Sequence, residues 1–116
     1  MSAITTHVLD TSRGLPAAGI PVVLAQADAE AAGGWRVIGR GTTDADGRVR
    51  ELLAPGTARA AATYRLTFAT GAYFTARGVA TFYPEVSIVF AVSDPAQHHH
   101  VPLLLSPFGY STYRGS

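Results

Sequence analysis

Short runs of β-branched and aromatic residues, broken by turn-forming clusters, repeat along this chain. The runs are Ile4 to Leu9, Val22 to Gln26, Trp35 to Thr43, Thr63 to Thr70, Val86 to Val92 and His98 to Leu105. Between them lie Ser12-Arg13-Gly14-Leu15-Pro16, Ala32-Gly33-Gly34 and Asp44-Ala45-Asp46-Gly47, where Gly, Pro and Asp each favour a turn for a different physical reason. Such runs suit a pleated, half-buried surface, and turn signals at this spacing predict an all-β sandwich rather than βαβ units. One short helix is expected over Gly71 to Arg77, where Ala72, Phe74 and Ala76 suit a helix although Tyr73 and Thr75 favour it little. The Ala-rich stretch Ala58 to Ala62 is too short to hold a helix alone and reads as a connection between strands. With neither a repeat nor a linker in view, residues 1–116 read as a single domain.

Alternation also sorts the chemically active residues by face. In the first run, Thr5, His7 and Leu9 share one side, and Ile4, Thr6, Val8 and Asp10 the other. In Gln97-His98-His99-His100-Val101, the same rule puts His98 and His100 together and turns His99 away. An imidazole titrating near neutral pH is well suited to take and return a proton. A His-x-His pair with a distant His7 is also a ligand set for catalytic zinc, with water in the fourth position. The structural readings stand beside these: solvated imidazoles at a strand start, and a lone structural His7. Residue types alone leave the choice open.

Asp44-Ala45-Asp46-Gly47 reads as a tight turn that delivers Arg48. An EF-hand register with Gly47 at the sixth loop position would put Thr42 first and Leu53 twelfth, so calcium is a poor reading. The fork of donors on Arg48 suits a planar anionic or carbonyl-rich ligand, though a solvated arginine is the commoner fate. Ser106, Ser111 and Thr112 offer hydroxyls without a Gly-x-Ser-x-Gly elbow. Phosphate-cradling and dinucleotide motifs are absent from the sequence. At the far end, Tyr113-Arg114-Gly115-Ser116 follows a stretch that reads as a buried strand. Such an end is expected to be tied down and to belong to a site.

Composition narrows the classes further. A chain of 116 residues is long enough to bury about two-thirds of its unfolded surface. Only 15% of residues are charged against 47% hydrophobic, a lean surface that burial in an oligomer would explain. The net charge is +1, and all nine cations are arginines scattered along the chain, so no nucleic-acid footprint emerges. There is no cysteine and hence no disulfide or thiolate chemistry. No leader-like or membrane-spanning run is seen, which sets the expectation of a soluble, cytoplasmic protein without a membrane partner.

Four segments together resemble the transthyretin-related 5-hydroxyisourate hydrolases. They are Thr6-His7-Val8-Leu9-Asp10, Asp46-Gly47-Arg48, His98 through Pro107, and Tyr110-Ser111-Thr112-Tyr113-Arg114-Gly115-Ser116. Phe82 to Val86, Tyr64 to Phe68 and Thr70 to Phe74 are also similar to the family's strands. Transthyretin itself, the hormone carrier on the same sandwich, lacks the two histidines, the arginine and the terminal tetrapeptide at the corresponding positions. His99 departs from the family, which more often carries an aromatic such as Tyr there. The resemblance implies a transthyretin-like two-sheet sandwich and metal-free, cofactor-free hydrolysis of 5-hydroxyisourate in urate breakdown. It implies His7, Arg48 and His100 as catalytic, with His7, Arg48, Tyr113, Arg114 and Ser116 holding substrate and His98 and Ser111 in support. It further implies a homotetramer, a dimer of dimers around a central channel, with sites shared between subunits. Two other classes remain beside it: a module binding an aromatic ligand without turnover, and a zinc hydrolase using His7, His98 and His100.

Overall fold

The computed structural model describes residues 3–53 and 60–116. Among the described residues the strands are β1 (Ile4–Asp10), β2 (Leu15–Pro16), β3 (Pro21–Ala27), β4 (Trp35–Thr42), β5 (Arg48–Val49), β6 (Ala62–Phe68), β7 (Val86–Val92), β8 (His99–Ser106) and β9 (Gly109–Thr112), with one α-helix, α1 (Thr70–Ala76), after β6 and a single 3-10 turn, Ala32–Gly34, before β4. They form two sheets, one ordered β2-β1-β8-β9 with β5 also on β1, the other β4-β3-β6-β7. The architecture is the all-β sandwich with one short helix that the sequence predicts.

Alternation explains which side of each strand is buried. On β1, Ile4, Thr6, Val8 and Asp10 are buried while Thr5, His7 and Leu9 are half-buried on the outer face. Val8, Leu103 and Leu105 from the first sheet meet Leu24, Leu66, Phe68 and Val86 from the second. Each fully buried side chain of this size contributes roughly 1.5–3 kcal/mol. In α1, Tyr73 and Phe74 face the core, so tertiary burial stabilises a helix whose own propensity is weak. No helix among the described residues is long and apolar enough to cross a membrane.

Several boundaries and two whole elements differ from the sequence reading. Thr70 opens the helix instead of closing a strand, and Ala62 begins β6 although the Ala-rich stretch reads as a connection. Ala58 and Arg59 of that stretch lie outside the described residues. The pairing between β3 and β4 shifts between Leu24 and Ala25, which interrupts simple alternation along β4. The two-residue strands β2 and β5 carry no periodic signal, since two residues cannot show a period. Beyond the buried β8, the final strand β9 is not buried: Tyr110, Ser111 and Thr112 are exposed along the sheet edge.

Candidate active site

The outer face of the first sheet collects the polar chemistry. β1 runs parallel to β8, setting Thr5 opposite His100 and His7 opposite Pro102. On the other edge of β1, the short β5 sets Arg48 opposite His7. Directly opposed residues in a sheet project to the same side, and so do residues two apart on one strand. Thr5, His7, Arg48 and His100 therefore share one face, drawn from three separate stretches of sequence.

The turn before Arg48 is built to hold it there. The Asp44 carboxylate accepts hydrogen bonds from the backbone N–H of Asp46 (2.9 Å) and of Arg48 (3.0 Å). Gly47 adopts φ 76°, a conformation that favours glycine, and its carbonyl accepts from the Val8 N–H at 2.7 Å, fastening the turn to β1. Arg50 pairs with both Asp44 (3.2 Å) and Asp46 (3.5 Å). These acids brace a turn and neutralise an arginine. The backbone donor of Arg48, first, and then Arg50, hold the Asp44 carboxyl below its ordinary value. The Arg48 guanidinium itself is exposed and makes no ion pair among the described residues.

Thr5, which the sequence reading left without a role, sits between two histidines. Its Oγ1 lies 2.8 Å from His100 Nδ1 and 3.0 Å from His98 Nε2. The two imidazoles lie nearly parallel, with centroids 6.4 Å apart and planes 15° apart. Burial first, then the charges of Arg48, His98 and His7, push His100 below the ordinary histidine value, which favours a neutral imidazole at neutral pH. His99 points the other way, as alternation requires. It is buried at 5% exposure, with Nδ1 3.0 Å from the Gln97 carbonyl oxygen, so it is not among the solvated imidazoles.

An open cleft of about 710 Å³ is lined by Thr5, Thr6, Arg48, Val49, Arg50, Glu51, His98, His100 and Ser116. Its cations and imidazoles can polarise a carbonyl and exchange a proton with water. His7 shares the face without lining the cleft. The terminal tetrapeptide is divided. The Gly115 N–H donates to the His100 carbonyl oxygen at 2.8 Å, which carries Ser116 into the cleft. Tyr113 and Arg114 line a smaller hollow of about 250 Å³ beside Val89, Phe90 and Ala91 of β7, which adjoins the cleft through His100, and Arg114 donates to Gln97 Oε1 at 3.1 Å. Ser111 pairs with Leu104, farther along the sheet from the cleft. Gly115 is spatially constrained, because a Cβ there would stand 2.5 Å from His100 Cδ2.

The zinc alternative finds no donor set in this arrangement. Among the described residues, no three His, Asp or Glu side chains converge as a metal site. Of its three histidines, His98 and His100 each direct a ring nitrogen to the Thr5 hydroxyl.

A profile of the HIUase/Transthyretin family matches residues 4–115. The chain belongs to that family. A 5-hydroxyisourate hydrolase of Caulobacter vibrioides is 50% identical, with both chains covered in full. Among solved structures, 5-hydroxyisourate hydrolase from Klebsiella pneumoniae superposes with a TM-score of 0.81 at 35% identity, covering 97% of this chain and 98% of that one. Sea bream transthyretin in complex with thyroxine superposes with a TM-score of 0.87 at 34% identity, covering 98% of this chain and 95% of that one. Family membership confirms the transthyretin-like sandwich. The shared fold accommodates both a 5-hydroxyisourate hydrolase and a transthyretin that binds thyroxine, so backbone similarity does not separate them.

Proposed function

We propose that this HIUase/Transthyretin family protein, a single domain over residues 1–116, hydrolyses 5-hydroxyisourate. The observation that carries the reading is the convergence of Arg48, His98 and His100 in one cleft, on a chain 50% identical to a relative named as that hydrolase. Water attacks a lactam carbonyl of the six-membered ring. His100 takes the proton from the attacking water, and Arg48 stabilises the oxyanion that develops on the carbonyl oxygen. The carbon–nitrogen bond then breaks, and a histidine returns a proton to the leaving nitrogen. Ring opening leaves a carboxylate and a ureido group, as in 2-oxo-4-hydroxy-4-carboxy-5-ureidoimidazoline, a step of urate breakdown. His7, beside Arg48 on the same face although outside the cleft lining, is the second histidine of an acid–base pair with His100 and would meet substrate that extends from Arg48 and Ser116 along that face. The chemistry runs on protein side chains alone, without metal or cofactor.

The working form is a homotetramer, a dimer of dimers. Supporting it, β7 and β9 are the outer strands of their sheets within the described chain. Large apolar side chains also stand exposed near them, with Phe82 at 72% and Phe108 at 70%. A second copy docked along these edges would cover the hollow that Tyr113 and Arg114 line, bringing both residues into a composite site. Equilibrium sedimentation of untagged protein tests the assembly.

Following the ultraviolet absorbance of 5-hydroxyisourate, generated in place by urate oxidase, tests the activity. Faster decay with this protein, unchanged by EDTA, is the expected result. No acceleration by assembled protein would favour a ligand-binding module, the reading that the likeness to transthyretin bound to thyroxine supports. Acceleration lost to EDTA and regained with zinc would overturn the metal-free chemistry.

A further inference from the structure

A base that deprotonates water must aim a lone pair at it, and a neutral imidazole has one at only one of its two nitrogens. The hydrogen bond made by the other nitrogen decides which. In His100 that other nitrogen is Nδ1, held 2.8 Å from Thr5 Oγ1, while the same oxygen lies 3.0 Å from His98 Nε2. The contact is built into the fold, because Thr5 is the register partner of His100 across the parallel β1–β8 pair.

A threonine hydroxyl carries one proton and can also accept. Between two neutral rings it donates to one and accepts from the other, so the chain of bonds has a direction. If Thr5 donates to His98, it accepts from His100 Nδ1–H, and His100 Nε2 is left with a lone pair. If the direction reverses, His100 Nε2 carries the hydrogen and cannot act as a base. Two features favour the first arrangement. Arg48 lines the same cleft as His100, and a guanidinium in that cleft favours a lone pair over an N–H dipole at whichever ring nitrogen is open to it, which is Nε2 once Nδ1 is held by Thr5. His98 is exposed, so the Nδ1–H that this arrangement requires of it can be satisfied by water.

Resting on the hydrolase reading, we propose that Thr5 is a positioning residue that holds His100 in the Nδ1–H tautomer through a hydroxyl shared with His98, presenting His100 Nε2 to the attacking water. When His100 accepts the water's proton at Nε2, its Nδ1–H remains bonded to Thr5. The imidazolium is thus held in orientation until a proton passes to the leaving nitrogen.

Long-range proton–nitrogen spectra of the full chain labelled with 15N-histidine read the tautomer without substrate, and His100→Asn assigns the signals. At neutral pH the wild-type His100 should show Nδ1–H. In Thr5→Val, which keeps the side-chain shape, that preference should be lost. The variant's kcat should fall roughly 10- to 100-fold, part of what a positioned base supplies, with KM within about twofold. Thr5→Ser should restore both readings. A wild-type His100 carrying its hydrogen on Nε2 overturns the proposal by itself, even if Thr5→Val fails to fold. So does an unchanged tautomer in Thr5→Val, whatever its turnover, or a Thr5→Ser variant that behaves like Thr5→Val. A locked tautomer in a wild-type protein that does not turn over 5-hydroxyisourate would overturn the hydrolase reading and uphold the hydroxyl link.

Discussion

On β1, Asp10 turns into the sandwich while Thr5 and His7 turn out of it, and the two polar groups are used in opposite ways. The Asp10 carboxylate is saturated. Its Oδ1 accepts from Ser12 Oγ at 2.6 Å and from the Ser12 N–H at 3.1 Å, and its Oδ2 accepts from Tyr73 Oη at 2.7 Å. Arg13 donates to the same Tyr73 oxygen at 3.2 Å, and the Arg77 guanidinium lies 5.2 Å from the ring centroid. Burial alone would raise the Asp10 carboxyl, but the hydrogen bonds from Ser12 and Tyr73 outweigh it and hold the group below its usual range. Burial, then Asp10, push the Tyr73 phenol up. This cluster braces the helix against the first turn. At the other end of β1, one ring nitrogen of His100 is anchored, and the ring stands in an open cleft beside an arginine with no ion pair among the described residues. A completed network supplies stability; an incomplete one beside a cleft can supply chemistry.

The sharpest way to break this contrast is to truncate each cluster and ask which property fails. His100→Ala or Arg48→Ala should lower kcat/KM by roughly 10²- to 10⁴-fold, as expected on losing a positioned base or an oxyanion donor. Their urea midpoints should stay close to wild type. Wild-type turnover in either variant, purified as intact assembly, removes that residue from the mechanism.

Gly115→Ala probes the cleft more gently. The new Cβ must displace the His100 ring or the terminal segment, and a shift of that size should cost roughly 10- to 100-fold in kcat. Steady-state kinetics beside a thermal melt separate misplacement from unfolding. At the other end of β1, Asp10→Ala should destabilise by roughly 2–4 kcal/mol, the loss of hydrogen bonds to a buried charged group. Turnover per folded molecule should be unchanged. A stable Asp10→Ala protein with impaired turnover would erase the distinction between the two clusters.

The smallest effect is in pH dependence. Because His100 is held below its ordinary 6.5, its neutral, basic form persists as pH falls past that value. The acid limb of kcat/KM should therefore lie below 6.5, and in Arg48→Gln the residual activity should show that limb moved upward. Asp10 affects stability with a different signature. A depressed carboxyl stabilises the fold above its unfolded pKa, and the contribution is lost as pH falls through the folded value. Acid unfolding of wild type against Asp10→Asn checks that window.

Much of this was legible from residue order. Alternation sorted Thr5 and His7 from Ile4, Thr6, Val8 and Asp10, and turned His99 away from His98 and His100. The turn that delivers Arg48 was readable from Asp44 and Gly47. Less legible was the division of the terminal tetrapeptide, since Ser116 reaches the cleft while Tyr113 and Arg114 line an adjoining hollow on the other side of His100. A strand edge that bends back through one backbone contact at Gly115 has no period to announce it. Thr5 escaped notice because a threonine in a strand is an ordinary strand former, and its significance lies in two histidines more than 90 residues away.

By itself, then, the sequence determined the class of fold, the faces of β1 and of the His98–His100 run, and the histidine, arginine and tyrosine chemistry available to a site. These follow from local rules: a strand repeats every two residues, and a turn is decided by its own few side chains. Only the tertiary structure decided that β1 lies parallel to β8, that a two-residue strand seats Arg48 against His7, and that one hydroxyl bridges His98 and His100. Pairing between distant strands depends on how the whole sandwich buries its apolar faces, and that balance is not local to any segment.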